Sequence, residues 1–296
     1  MNGLLIVDKP GGMTSHDVVH RLRKITGERS IGHLGTLDPM ATGVLPLLMG
    51  KFTRLAQYFS SDEKSYTGAI RFGFATNTYD AEGEPAGPDQ WGELGTALTL
   101  DRIRVAAERF HGELDQLPPP FSAKKIEGTP AYKLAREGKP VELKTAKVRI
   151  SCFEIVSLEG AQAAFNMRIS AGGYVRSVAH ELGHELGCGS HLSKLRRIQA
   201  GSFFIEQAKT LERLEAAAGD LEALEALCVH PRDLLPEMPA VRADMPTVTR
   251  LRNGAQANLP EFSQASMVKV FVGQRELVAI ARRIAGTLFQ PVAVMG

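Results

Sequence analysis

The sequence predicts an α+β fold built on a mixed, mostly antiparallel sheet flanked by helices. Strand-like apolar runs are interspersed with single helices, without the regular strand–helix alternation that marks a parallel α/β sheet. A β-rich segment closes the chain after a proline-containing linker, "HPRDLLPEMPA". A length of 296 residues has room for a large domain and a small one.

Read in order, Leu4–Val7 is a short apolar strand, and "KPGGMTS" turns the chain. Ser15 is the expected cap of a helix through Ile25, with Val18, Val19, Leu22 and Ile25 on one stripe and Gly27 as its stop. A loop rich in glycine, proline and threonine then runs into an apolar strand ending near Met49. Residues 65–76 alternate as a strand, "YDAEGEP" reads as a turn, and Thr99 begins a helix to His111. The stretch 117–147, with three prolines before Lys124 and Lys125 and a short helix capped at Thr129–Pro130, reads as an excursion from the core. Two strands follow at 146–157 and 163–171, then a helix from Tyr174 to Leu186. The acidic stretch 206–237 is expected to be helical. The last sixty residues, with "MVKVFVG", "ELVAIARR" and "LFQPVAVM", are expected to form a small β-rich appendage.

Hydrophobic residues make up 44% and charged residues 23%, as in an ordinary globular protein. The five-residue apolar run before Asp8 is too short for a signal-peptide core, and no stretch reaches membrane-spanning length. Cys152, Cys188 and Cys228 are odd in number and without a CxxC pair. They support neither a disulfide framework nor a thiolate metal site, so a reducing cytoplasm is expected. Net charge is only +2, but 206–237 carries eight acids against three bases, so the remainder is more basic. Small clusters stand at Arg21, Arg23 and Lys24, at Lys194, Arg196 and Arg197, and at Arg282 and Arg283. Such clusters suit phosphate contacts, and each also reads as a solvated face.

"HELGH" at 180–184 spells a zinc-protease pattern. Its helix places Val178, Ala179, Leu182 and Leu186 within roughly 60° of Val175, and His180 and His184 roughly opposite. The extended form of the pattern needs a histidine at position 190, which is Ser190. A lone five-letter pattern with this defect does not argue for a metal.

"GHLGTLDPMATG" at 32–43 is the stronger chemical candidate. Pro39 biases the backbone of Asp38 toward an extended conformation, and Gly35 and Gly43 bracket it with tight bends. An Asp-Pro pair is also a common turn initiator, so the stretch alone leaves catalysis and simple turning both open.

"GHLGTLDPMATGVLP" resembles the signature motif of the TruB family, the bacterial tRNA pseudouridine-55 synthases. "LLIVDKPGGMTS", "KSYTGAIRFGFATNTYDAEGE" and "GGYVRSVAHELGHELGCGSHLSKLRR" resemble further blocks of that family, in its order, across residues 4–197. The resemblance implies an enzyme that isomerises a uridine of the TΨC loop of tRNA, with no metal and no organic cofactor. It makes Asp38 the catalytic aspartate, with Arg176 pairing to it and Tyr66 stacking on the flipped uracil. Tyr174 and Leu195 would line the base pocket, and His33 would sit against the RNA loop where the base left its stack. Lys9 and Pro10 match a motif that supports the site. Residues 117–147 resemble an RNA-gripping insertion of a catalytic domain, 1–238, and 239–296 stand where the family carries a small PUA-like RNA-binding domain. A monomer follows from the same resemblance.

The implied chemistry suits these residue types. Glycosidases use two carboxylates because water must be activated. Here the base is retained and water is harmful, so one carboxylate in a dry pocket suffices. It must stay ionised despite burial, which an arginine partner favours. Extruding a base from a folded loop costs a few kcal/mol, against about 1–3 kcal/mol returned by aromatic stacking. Two other readings remain open at this point: a guide-dependent relative acting on ribosomal RNA, and a tRNA-binding chaperone.

Overall fold

The structure, a computed structural model, describes residues 1–60, 62–94, 97–121, 125–126, 129–130 and 144–295. Its main sheet starts from strand β1 (Gly3–Lys9), an apolar run buried on both faces. Period-two alternation sends Leu5 and Val7 into one core and Leu4 and Ile6 into another. Strand β2 (Ile31–His33) and strand β3 (Thr42–Met49) follow helix α1 (Ser15–Thr26), and β1 pairs antiparallel with β3. Strand β4 (Lys64–Phe72) and strand β5 (Gly112–Gln116) flank helix α2 (Leu100–Ala107). A two-residue pairing, β6 (Lys125–Ile126) with β7 (Thr129–Pro130), precedes the long strands β8 (Ala146–Glu159) and β9 (Gln162–Ile169). Helix α3 (Val175–Glu185) leads into β10 (Ser190–Ala200) and β11 (Phe203–Phe204).

Spatial order is β1-β3-β10-β4-β9-β8-β5, with β2 beside β3 and β11 beside β10. Only β3–β10 is parallel in this sheet among the described residues, so it is mixed and mostly antiparallel, as expected. That parallel seam matters, because it joins the Asp38 loop to the end of β10. Gly43 sits on it with φ +101°, and a Cβ there would lie 2.2 Å from the carbonyl oxygen of Arg197. Gly43→Ala is therefore expected to destabilise the protein by about 2–4 kcal/mol, the cost of a positive φ plus a backbone clash, as read by denaturant unfolding.

The C-terminal segment forms a second, five-stranded sheet, β12-β14-β15-β16-β13, as the β-rich ending predicts. Its strands are β12 (Ala240–Arg242), β13 (Ala257–Asn258), β14 (Met267–Val272), β15 (Glu276–Ala285) and β16 (Leu288–Val294). One helix of this segment, Met245–Arg252, is capped by Asp244. Phe271, Leu277, Ile280 and Met295 pack in one cluster with Leu4, Ile6, Val44 and Phe52, seating the second sheet on the first. No helix among the described residues is long and apolar enough to cross a membrane.

Several boundaries differ from the sequence reading. Thr14, not Ser15, caps α1: its hydroxyl accepts from Asp17 N, and the Asp17 carboxylate accepts from Thr14 N at 2.8 Å. Ser15 is thereby released to hold another segment, described below. The strand expected over 65–76 ends at Phe72, where Gly73 takes φ +114°. Stretch 206–237 yields two short α-helices, Leu211–Glu215 and Leu221–Leu227, with single 3-10 turns at Ile205–Gln207 and Pro231–Asp233, because Gly219 at φ +86° and Pro231 interrupt it. Most of the 117–147 excursion, including Lys124 and the helix expected after Thr129–Pro130, lies outside the described residues.

Candidate active site

Asp38 lies in the loop between β2 and β3, and three anchors fix that loop from different sides. Beneath it, the Lys9 ammonium donates to the carbonyls of Pro39 at 3.1 Å, Pro10 at 2.8 Å and Met13. From α1, the Ser15 hydroxyl donates to Leu37 O at 3.1 Å and accepts from Leu37 N at 2.8 Å. From β10, the fully buried Arg197 donates to Val44 O at 2.7 Å, Gly35 O at 3.0 Å and Thr36 O at 3.5 Å. Residues on both sides of Asp38 are thus tied to sheet and helix. Such support on rigid elements is what precise positioning of one carboxylate requires.

The Asp38 carboxylate faces Arg176, the second residue of α3. Arg176 Nη2 donates to Asp38 Oδ1 at 3.0 Å, and Nε lies 2.8 Å from Oδ2, an ion-pair contact off the line of a hydrogen bond. The guanidinium is itself held by Thr78 O at 3.1 Å, Phe121 O at 3.0 Å and the Asp80 carboxylate at 3.5 Å. Asp80 is buried and fixed by the Thr78 hydroxyl at 2.6 Å and Glu82 N at 3.1 Å. Between them Tyr79 adopts φ +66°, uncommon for a non-glycine residue. Its ring stacks on His180 with centroids 3.7 Å apart and planes 10° from parallel.

That stacking is how the "HELGH" helix contributes to the structure. His180 packs on Tyr79, His184 is exposed, and Val178, Ala179 and Leu182 are buried as the stripe predicts. Among the described residues, no three His, Cys, Asp or Glu side chains gather as a metal set.

A cleft of about 440 Å³ opens over Asp38, and His33, Tyr66, Tyr174, Arg176 and Leu195 line it with the aspartate. All six of these sequence candidates therefore meet in one place, although β2, β4, α3 and β10 lie far apart in the chain. Tyr66 stands on β4 opposite Arg197. Tyr174 precedes α3, its backbone amide and carbonyl both held by the Gln116 side chain at 2.8 and 2.9 Å. Lys9 and Pro10 do not line the cleft: Lys9 supports the loop from below, and Pro10 is exposed.

Burial pushes the Asp38 carboxyl above its ordinary value, with the Arg176 guanidinium opposing and the Asp80 charge adding to the push. Some 32% of the Asp38 side chain is accessible, but it opens onto the confined cleft. Water there tempers the upward push, and a bound base would displace it. His33 is driven below the usual histidine range by burial and by Arg197, so its ring is uncharged near neutrality.

Burial also lowers the Lys9 ammonium from 10.5 to about 8. The folded state therefore disfavours the proton that the unfolded chain holds up to pH 10.5. This group's penalty is full below about pH 8 and fades as pH rises from 8 to 10.5. Unfolding titrations at pH 7.5 and 9.5 are expected to show this rise in wild-type protein and its absence in Lys9→Met.

Sequence reasoning missed Asp80, Ser15 and Gln116, whose partners lie across the fold. It also left Lys194, Arg196 and Arg197 open between a phosphate-contacting cluster and a solvated face. Arg197 is instead spent on the loop, and Arg196 pairs with Asp8 at 2.8 Å, while Lys194 is exposed.

Comparison with known proteins now adds to this geometry. The sequence model described as TruB family pseudouridylate synthase (N terminal domain) matches residues 23–175. That described as tRNA pseudouridylate synthase B C-terminal domain matches 176–234. The chain is 43% identical over 298 residues to the tRNA pseudouridine synthase B of Solibacter usitatus (strain Ellin6076), covering 100% of both chains. It is 38% identical to that of Aquifex aeolicus (strain VF5), covering 92% of each. Among solved structures, the archaeal box H/ACA sRNP Nop10–Cbf5 complex matches with a TM-score of 0.68 at 23% identity, over 99% of this chain and 86% of that one. An H/ACA RNP bound to a substrate RNA containing 2'-deoxyuridine matches at 0.69 and 23%, over 99% and 85%. At that identity the likeness speaks for the fold.

Proposed function

Because the chain belongs to the TruB family of pseudouridylate synthases, we propose that it converts the uridine at position 55, in the TΨC loop of tRNA, to pseudouridine, with Asp38 as the catalytic carboxylate. It is an RNA isomerase, and its substrate is tRNA, as the names of its full-length relatives support. The observation that carries the residue assignment is the Asp38–Arg176 pair at the floor of a cleft sized for a base and walled by Tyr66, Tyr174 and Leu195.

In the reaction the N1–C1′ bond breaks, C5 bonds to C1′, C5 loses a proton and N1 gains one. Atoms and electrons balance within the nucleotide, so the step calls for no oxidant, reductant or group donor. Asp38 acts on the ribose, at C1′ or at the C2′ proton, and both routes need it ionised. Arg176 holds it so against burial. Tyr66 stacks on the extruded uracil and stands near the face from which the C5 proton leaves. Tyr174 and Leu195 close the pocket against water, and the uncharged His33 packs where the base left the loop.

We assign catalysis to residues 1–238, gripping of the TΨC arm to 117–147, and a PUA-like RNA contact to 239–296. We further place the enzyme in the cytoplasm, acting as a monomer without metal or cofactor. Nucleotide mapping of unmodified tRNA before and after treatment with purified enzyme tests the assignment. One new pseudouridine in the TΨC loop, formed also in the bare stem-loop, is expected. Activity only with a guide RNA and accessory proteins would favour the guided reading instead. Binding without any conversion would favour the chaperone.

A further inference from the structure

We propose that Lys64 is a phosphate-binding residue of the cleft, taking a phosphodiester that flanks the extruded uridine. This inference rests on the proposed function. A nucleotide entering the cleft brings anionic phosphate toward a floor that already holds the Asp38 and Asp80 carboxylates around one guanidinium. An additional cation is needed.

Two of the three lysine and arginine side chains of the described cleft wall, Arg176 and Arg197, are buried and already held in place by protein groups. Arg176 is committed to two carboxylates and two carbonyls, and Arg197 to three carbonyls. Lys64 differs. Among the described residues its ammonium has one hydrogen-bond partner, the Asp62 carbonyl, and no carboxylate within ion-pair distance. A lysine ammonium carries three donors, so two remain. Half-buried and underused, it gains from an anion more than a solvated surface lysine does.

Position supports the same role. Lys64 and Tyr66 are two residues apart on β4, on one face and about 6.6 Å apart along the strand. One side chain is suited to a base and its neighbour to that base's backbone. The catalytic loop itself borders this ammonium: Gly35, at φ +100°, brings its backbone so close that a Cβ there would lie 3.7 Å from Lys64 Cε and 3.5 Å from Arg197 Nη1.

The test uses TΨC stem-loop RNA, either all-phosphate or with one neutral methylphosphonate on the 5′ or the 3′ side of the target uridine. Lys64→Met is expected to weaken binding of the all-phosphate RNA about tenfold and to flatten the slope of log affinity against log salt by about 0.7–0.9. The neutral linkage, at one of the two positions, is expected to weaken wild-type binding similarly and to leave Lys64→Met unaffected. Lys64→Arg restores most of the affinity and slope. An unchanged salt slope in Lys64→Met, or equal losses in both proteins from the neutral linkage, would overturn the proposal. Wild-type conversion of the all-phosphate RNA is the separate control: its absence would sink the proposed function rather than the Lys64 subsite.

Discussion

Asp38→Asn is expected to reduce pseudouridine formation on the order of 10⁴-fold or more, the scale seen when the reacting group of a catalytic unit is removed. The amide keeps the size of the carboxylate and still accepts from Arg176 through its oxygen, but it carries no charge. Stem-loop affinity is therefore expected to stay within a few-fold of wild type, so that the loss falls on kcat. Stability provides a second readout. Because burial raises the Asp38 carboxyl, the native state holds its proton more tightly than the unfolded chain. That contribution is present at low pH and lost as pH rises through the folded value. At neutral pH the ionised group is a burden on the fold, and Asp38→Asn should melt no lower than wild type. A loss of activity accompanied by a lower melting temperature would point to a structural role.

Arg176→Met is expected to damage both stability and rate. It leaves Asp38 and the buried Asp80 without their shared cation, and Thr78 O and Phe121 O without a donor. Removing the only cation of such a buried set, so that two carboxylates are left uncompensated, costs about 3–5 kcal/mol. Deleting a preorganised charge beside the reacting centre costs on the order of 10²–10³ in rate. Arg176→Lys should fall between, because one ammonium cannot span Asp38, Asp80 and two carbonyls at once. Circular dichroism melts and single-turnover kinetics on stem-loop RNA separate the two effects. A wild-type rate in Arg176→Met would remove the arginine from the account.

What the sequence made legible was local. β1, α1, β8, β9 and α3 follow from apolar runs and periodicity, and Gly43 was readable as a tight bend. The six cleft residues came from the family motifs, and spacing alone would have left Tyr66 and Leu195 as ordinary core residues. Hidden were the groups whose partners are remote in the chain. Asp80 looked like one acid of a turn, yet it anchors Arg176, 96 positions away. Ser15 looked like a helix cap because Thr14 and Ser15 cap equally well on paper. The capping box with Asp17 decided the matter and freed Ser15 for Leu37. Arg197 looked like a phosphate contact or a solvated residue because an arginine fully buried on backbone carbonyls leaves no periodic trace.

Under single turnover, the pH dependence of pseudouridine formation most directly probes the ionised Asp38 held by Arg176. The predicted profile loses activity by one proton as pH falls, with a midpoint above the ordinary carboxyl value of 3.8. In Arg176→Met the midpoint moves still higher. A rate that stays flat down to ordinary carboxyl ionisation, or a midpoint indifferent to that substitution, would contradict the central claim.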